Sequence, residues 1–324
     1  MKTNLFPKPI IVVSKCIEFE HTRYNGDIIS SDTVKKLKSF ADFIPVCPEV
    51  EIGLGIPRSP IRLVIKENEK ALYQPESEKF FTNEMIQFSE HFLKTLSDID
   101  GFILKNQSPS CGTNNVKIYH SAKKDCGSKP GTGLFAEKVK ESFPDHAIED
   151  EGRLKNFSIR EHFFIRLFAK ASFREIKNNQ KIQELVDFQT RNKYLLMAFQ
   201  PARHKELGRL VAGHNKNNIG EVFTEYEKLL QQTLAKQPKV NSIINALQHC
   251  FGGVSQNLSP EERKFFLNPL EEYRDERIPL ATVVYLLKSW AVRFNNAFLL
   301  NQTLIEPYPQ ELARLSDTGK GRKF

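Results

Sequence analysis

Pro9-Ile10-Ile11-Val12-Val13-Ser14 is a short β-branched run, and two residues after it comes Cys16. β-branched side chains suit an extended, half-buried backbone. The same arrangement recurs twice. Residues 43–46 (Phe-Ile-Pro-Val) run straight into Cys47, and residues 101–104 (Gly-Phe-Ile-Leu) lead through a short polar loop to Cys111. Between these strands the pattern turns helical. Ser31 and Asp32 offer caps ahead of Val34, Leu37 and Phe40. Phe81, Met85, Phe88, Phe92 and Leu96 recur at helical spacing and mark an amphipathic helix. Residues 61–65 alternate with period two, residues 131–143 place Leu134, Phe135, Val139 and Phe143 on one side of a helix, and residues 147–149 read as a last strand. Alternating strands and helices predict an α/β domain with a parallel sheet covered by helices.

From Phe157 onward the strand signals stop. Helical patterns run over residues 159–173, 181–199, 203–213, 219–235, 240–250, 260–273 and 279–300, punctuated by Pro201, Gly213, Pro238, Gly252-Gly253, Pro260 and Pro279. The chain is therefore expected to divide near Gly152 into an α/β domain (residues 1–153) and an all-α domain (residues 154–324). A polar basic tail covers residues 319–323.

The composition of this 324-residue chain, 40% hydrophobic and 27% charged, is that of an ordinary soluble protein. Its longest apolar runs, residues 9–13 and 281–287, fall well short of the ~20 residues of a membrane span. The apolar stretch near the N-terminus is too short for a signal-peptide core. The expectation is a cytoplasmic protein with no membrane partner. Five cysteines, none at C-x-x-C spacing, argue against a secreted disulfide framework. Charge is unevenly spread. Residues 1–153 hold 21 basic and 22 acidic side chains, whereas residues 155–216 alone hold 13 basic and 5 acidic. Such an excess points to a polyanionic partner, or to a solvated helix surface.

Cys16, Cys47 and Cys111 are each expected at the carboxyl end of a strand, the edge where open α/β sheets form their ligand crevice. Three soft thiolates converging there suit either zinc with one open position or an iron–sulfur cluster with one open iron. Spacing does not choose between them, and buried core cysteines are the plain alternative. Pro48 ends strand pairing after Cys47, so Glu49 is set beside the site as a general base for a water, or else as an exposed loop acid. Ser108 and Ser110 precede Cys111, in position to hydrogen-bond a cluster sulfide or a substrate, or to cap a turn. Gly131-Thr132-Gly133 opens a helix whose amides suit a phosphate or a carbonyl. Cys126 reads as a loop thiol or a fourth ligand, and Cys250 as a buried helical residue.

Taken in order, these segments resemble the thiouracil desulfidase family. They are Ser14-Lys15-Cys16 with Arg23-Tyr24-Asn25-Gly26, Cys47-Pro48-Glu49 with Gly53 and Pro57-Arg58, residues 105–112 (KNQSPSCG), and residues 131–136 (GTGLFA). The second half, with residues 194–198 (YLLMA) and 208–212 (GRLVA), resembles the helical domain fused to desulfidases in bacterial tRNA 4-thiouridine desulfidases. The resemblance implies a Rossmann-like N-terminal fold with a mostly parallel sheet. It implies a [4Fe-4S] cluster on Cys16, Cys47 and Cys111, with Glu49 and Ser108 as catalytic helpers. Residues 17–21 (IEFEH) are more acidic than the matching loop of stand-alone desulfidases, which fits a substrate other than a free base.

The function expected is non-redox removal of sulfur from 4-thiouridine in tRNA, giving uridine and sulfide. The alternatives are a desulfidase of free thiouracil or of another small thiolated metabolite, and a non-catalytic metal or cluster sensor. Arg166, Lys170, Arg174, Arg203, Lys205 and Arg209 fall at helical spacings and are the expected phosphate contacts to thiolated tRNA. No stable protein partner is implied.

Overall fold

In the computed structural model the chain is described over residues 6–123, 126–213 and 218–313, so the basic tail at 319–323 lies outside the described residues. Two compact units divide it, one over Pro7–Ala171 and one over Ser172–Gln310. The first unit begins β1 (Ile10–Ser14), α1 (Asp32–Leu37), β2 (Asp42–Val46), α2 (Pro48–Glu51), β3 (Arg62–Lys66), β4 (Glu69–Gln74) and β5 (Lys79–Phe80). It continues with α3 (Thr82–Thr95), β6 (Gly101–Leu104), β7 (Val116–Tyr119), β8 (Ser128–Gly131), α4 (Leu134–Ser142) and β9 (Ala147–Asp150).

Two sheets share these strands. The first has the order β2-β1-β6-β9 and every pairing in it is parallel. Its register sets Val12 beside Ile44 and Phe102, so the carboxyl ends of β1, β2 and β6 lie at one edge. Val12, Phe102, Leu104, Phe135 and Val139 are buried together and join this sheet to α3 and α4. That burial, about 25 cal/mol per Å² of apolar surface, is the main force holding the strand ends in place. The expected α/β domain with a mostly parallel sheet is what the chain forms. The second sheet has the order β5-β4-β3-β7-β8, and only its β3–β7 pairing is parallel. Of these strands the sequence pattern marks β3 alone. Ser128–Gly131 reads SKPG, and its proline and glycine hide a strand that forms only because β7 lies beside it.

The second half is helical, with α5 (Phe157–Asn179), α6 (Ile182–Arg191), α7 (Lys193–Phe199), α8 (Pro201–Ala212) and α9 (Ile219–Leu234). After these come α10 (Val240–Gly252), α11 (Pro260–Arg274), α12 (Leu280–Arg293) and α13 (Ala297–Leu300). The change of sequence pattern near Gly152 and the division into compact units fall at different places. The first turns of α5, up to Ala171, belong with the α/β unit. A Cβ built on Gly101 would come within 2.6 Å of Leu167 Cδ2, so this glycine makes room for α5 against β6.

The single pattern over residues 181–199 is two helices. Asn192 separates α6 from α7, and its buried side chain donates to the Phe188 carbonyl at 2.9 Å. The core of the helical unit gathers Phe173, Phe188, Phe223 and Tyr226, with Phe173 and Tyr226 stacked at 5.4 Å. No helix among the described residues is long and apolar enough to cross a membrane.

Candidate active site

Cys16 follows β1 by two residues, Cys47 caps α2 at the end of β2, and Cys111 lies on the loop after β6. All three line one pocket of about 370 Å³, together with Glu49, Ser108 and Ser110. Ser14, Lys15, Thr22, Arg58 and Lys105 are also among its lining residues. Among the described residues, no group of three His, Cys, Asp or Glu side chains is placed to hold a single metal ion.

The thiols are buried, and each lies near enough to another for a neighbouring thiolate to disfavour its own ionisation. Burial, with the Cys47 thiol nearby, pushes the Cys16 thiol up to about 12. Burial also pushes Cys111 and Cys47 up. Lys105 opposes this at Cys16, and its own ammonium is held by Glu151 at 2.6 Å. Two of the sulfurs have protein partners. Cys47 donates to the Thr22 carbonyl at 3.8 Å and meets the Val50 backbone, and Cys111 Sγ meets the Ser14 hydroxyl and lies 3.8 Å from that of Ser110. Thr22 Oγ1 is buried at the pocket wall with no hydrogen-bond partner among the described residues.

Glu49 is buried rather than an exposed loop acid, at 8% exposure. Its Oε2 accepts from Arg58 Nε at 2.9 Å and Nη2 at 2.5 Å. Its Oε1 accepts from the hydroxyl of Ser110 at 2.6 Å and that of Ser108 at 3.3 Å. The two serine hydroxyls are 2.9 Å apart. Four donors therefore fill the roughly four lone-pair positions of the carboxylate. Ser110 is buried, whereas Ser108 is partly exposed.

The loop carrying these serines rests on the start of α4. Gly133 N donates to Gly112 O at 2.8 Å, Leu134 N to Pro109 O at 3.1 Å, and Ala136 N to Ser110 O at 3.1 Å. The amides that suited a phosphate or a carbonyl are thus engaged by backbone carbonyls of the cysteine loop. A Cβ on Gly133 would lie 2.4 Å from Ser110 O and 2.9 Å from Ser108 O. Gly133→Ala is therefore expected to cost about 1–3 kcal/mol and to displace this loop. A melting temperature equal to that of the parent would contradict the close approach.

The acidic loop after Cys16 serves structure. Glu18 accepts from Ser31 N at 2.5 Å ahead of α1, and Glu20 pairs with Lys15 at 2.8 Å. None of residues 17–21 is among the described residues lining the pocket. Cys126 is also apart from it, with its Sγ donating to Ser121 O at 3.2 Å. Cys250 is fully buried in α10.

The six cations expected to meet RNA are divided between the units. Arg166 and Lys170 lie in the first, and Arg174, Arg203, Lys205 and Arg209 in the second. Arg166 donates to Asp145 O at 3.0 Å and His146 O at 2.7 Å, and burial lowers its guanidinium below the usual arginine range. It serves the α/β fold. Arg203 pairs with Glu206 at 3.0 Å, while Lys205 and Arg209 are exposed one turn apart on α8. Sequence reasoning gave no role to Arg58, Lys105 or Thr22. Arg58 stood in the quoted Pro57-Arg58 pair, and only its partners were hidden.

A parallel sheet whose strand ends carry three thiols beside a buried carboxylate defines a class, and comparison with known proteins agrees with it. Residues 11–151 match the family model of 2-thiouracil desulfurase. Residues 193–309 match a second model, described as a protein of unknown function (DUF1722). The uncharacterized protein YbbK of Bacillus subtilis (strain 168) is 31% identical over 151 residues, which is 44% of this chain and 99% of that protein. The uncharacterized protein YbgA of Escherichia coli (strain K12) is 23% identical over 148 residues, 45% of this chain and 88% of that one. The solved structure of the [4Fe-4S]-dependent thiouracil desulfidase TudS is 27% identical and covers 45% of this chain and 93% of its own, with a TM-score of 0.36. Through its α/β half, the chain belongs to the 2-thiouracil desulfurase family.

Proposed function

We propose that this protein is an iron–sulfur-dependent desulfidase that removes the sulfur of 4-thiouridine in tRNA. The observation that carries the reading is the meeting of Cys16, Cys47 and Cys111 with Glu49 and Ser108 around one pocket. The donor set fits a cluster. Three buried thiols around one pocket, beside the unpartnered Thr22 hydroxyl, form a soft-ligand cradle. Zinc asks for its ligands around one ion, an arrangement the described residues do not provide. A [4Fe-4S] cluster takes each thiolate on a separate iron. Cys16, Cys47 and Cys111 would hold it, and one iron would remain open. When bound, the cluster supplies a soft Lewis acid that binds the thiocarbonyl sulfur and polarises the C–S bond.

The chain's own residues handle the water. Its oxygen bonds to the ring carbon, and the C–S electron pair leaves with sulfur. Overall, thiocarbonyl and water become carbonyl and hydrogen sulfide, with no change of oxidation state. The carboxylate of Glu49 takes up one proton of the water and releases it to the departing sulfur, and the second proton leaves the added oxygen for the sulfur as the carbonyl forms. The path proposed for the first proton runs through Ser108, the partly exposed hydroxyl, which passes its own proton to Glu49 Oε1 directly or by turning it to Ser110. Lys105 adds positive charge beside Cys16.

The tRNA substrate is supported by the basic excess over residues 155–216, whose counterion release favours a nucleic acid. Lys205 and Arg209, exposed on α8, are the proposed phosphate contacts, and Arg166 is left out because it binds the Asp145 and His146 carbonyls. A thiolated base reaches the pocket by leaving its stack. Lys205→Glu with Arg209→Glu is expected to lower sulfide release from thiolated tRNA by roughly 10-fold or more at physiological salt. Release from free 4-thiouridine should stay within about twofold, provided iron content and melting temperature match the parent. Equal losses on both substrates would mean that the helical half acts only as a stabilising cap. The founding test is anaerobic reconstitution with iron and sulfide, followed by iron counting and a sulfide-release assay on thiolated tRNA and on free thiouracil. Turnover of free thiouracil alone would make the substrate a small metabolite. Iron uptake without sulfide release would make the protein a sensor.

A further inference from the structure

Arg58 lies on the loop after α2, and its side chain is only 4% exposed in the pocket wall. Its guanidinium holds three separate segments at once. Nε and Nη2 both reach Glu49 Oε2, Nη1 donates to Gly55 O at 3.0 Å, and Nη2 donates to Thr22 O at 3.1 Å. Its backbone N donates to Tyr24 O at 2.8 Å. The Thr22 carbonyl is also the acceptor of the Cys47 thiol. One planar fork thus ties the loop that follows Cys16 to the segment carrying Cys47 and Glu49. With Oε2 fully taken, Glu49 has only Oε1 to offer the two serine hydroxyls, and its rotamer is set from the side away from them.

We propose that Arg58 is the positioning residue of this site, orienting the Glu49 carboxylate onto Ser108 and Ser110 and clamping the Thr22–Tyr24 segment at the pocket wall. It acts on the reaction through Glu49. The role rests on the desulfidase reading and extends it to a residue outside the three cysteines, Glu49 and Ser108. It requires arginine itself. A guanidinium presents donors in a rigid plane to acceptors lying in three directions, whereas a lysine ammonium is a point charge on a flexible stem. Lysine keeps the charge but lacks the planar fork that reaches Glu49 Oε2, Gly55 O and Thr22 O together, so charge alone does not restore the geometry.

The test is a double-variant cycle on the reconstituted holoenzyme with 4-thiouridine as substrate, comparing the parent, Arg58→Lys, Glu49→Gln and the double variant. Iron content and melting temperature are read on the same four proteins. Arg58→Lys is expected to lower kcat by about 10- to 100-fold, with KM changed less than about threefold and iron retained. The double variant should be within about threefold of Glu49→Gln alone, because two groups acting as one unit are not additive. Melting temperatures should likewise show coupling between the two positions. Arg58→Ala should regain part of its kcat when guanidinium chloride is added at tens of millimolar, whereas the parent should not speed up. Losses in kcat that multiply in the double variant, or an Arg58→Lys protein as fast as the parent, would overturn the assignment of Arg58 alone. A parent that holds iron and releases no sulfide from any thiolated uracil would overturn the desulfidase reading, and this role with it.

Discussion

Cys47→Ala is expected to remove the iron and the sulfide release together. Cys47 stands at the junction of β2 and α2, where the backbone turns at Pro48, and no other thiol of the described residues lines the pocket besides Cys16 and Cys111. Iron should fall from about four per chain, the count of a cubane, to a small fraction of that. Cys16→Ala and Cys111→Ala should do the same. Cys250→Ala should keep both iron and activity, since that thiol is buried in α10 within the helical unit. Full activity in any of the three pocket variants would sink the cluster site. The thiols also set a pH dependence in the apo protein. In the folded chain burial raises Cys16 to about 12, while unfolding returns it to the ordinary value near 8.5. The folded state then binds more protons between those values, so apo stability should fall as pH rises through that window. With metal bound the thiols are already deprotonated, and the fall should be much weaker. Melting curves of the apo and reconstituted forms at pH 7 to 10 check this.

Glu49→Gln should keep the cluster and lose about 10²- to 10⁴-fold in turnover, the span typical of removing a general base. The amide retains the shape of the side chain and one acceptor oxygen. It cannot take up the proton of the attacking water. It also faces Arg58 and the two serines with one acceptor where they now find two, so a donor is left unpaired in a buried place. Iron content equal to that of the parent, with single-turnover rates on 4-thiouridine, separates the loss of chemistry from the loss of the cluster. An unchanged rate would remove Glu49 from the mechanism. Glu51 is exposed on the far end of α2 and does not line the pocket, so it offers no substitute there.

Local patterns in the chain already determined much of this. Ile10–Ser14 is β-branched and apolar, α3 carries its core residues at helical spacing, and Ser31 caps α1 with its own hydroxyl. These depend on neighbours within a few residues, and so they can be read along the sequence. Cysteines set just after strands were enough to place three thiols at one edge, because parallel strands end on the same side. What the sequence left open depends on partners far along the chain. The second sheet needs β7 to meet β3 and β8 to meet β7; β7 is only four residues long, and β8, reading SKPG, has no strand propensity of its own. Asn192 reads as a polar helix residue, yet it is buried between α6 and α7, where its Oδ1 accepts from Thr303. Arg166 and Arg58 look alike as basic residues in a line of text. One closes on backbone carbonyls of the α/β fold, and the other grips Glu49 together with the Thr22 and Gly55 carbonyls. A charge in the sequence gives only its sign. Whether it faces solvent, a polyanion or a buried carboxylate is decided by which distant segments the folded core brings to within a hydrogen bond of it.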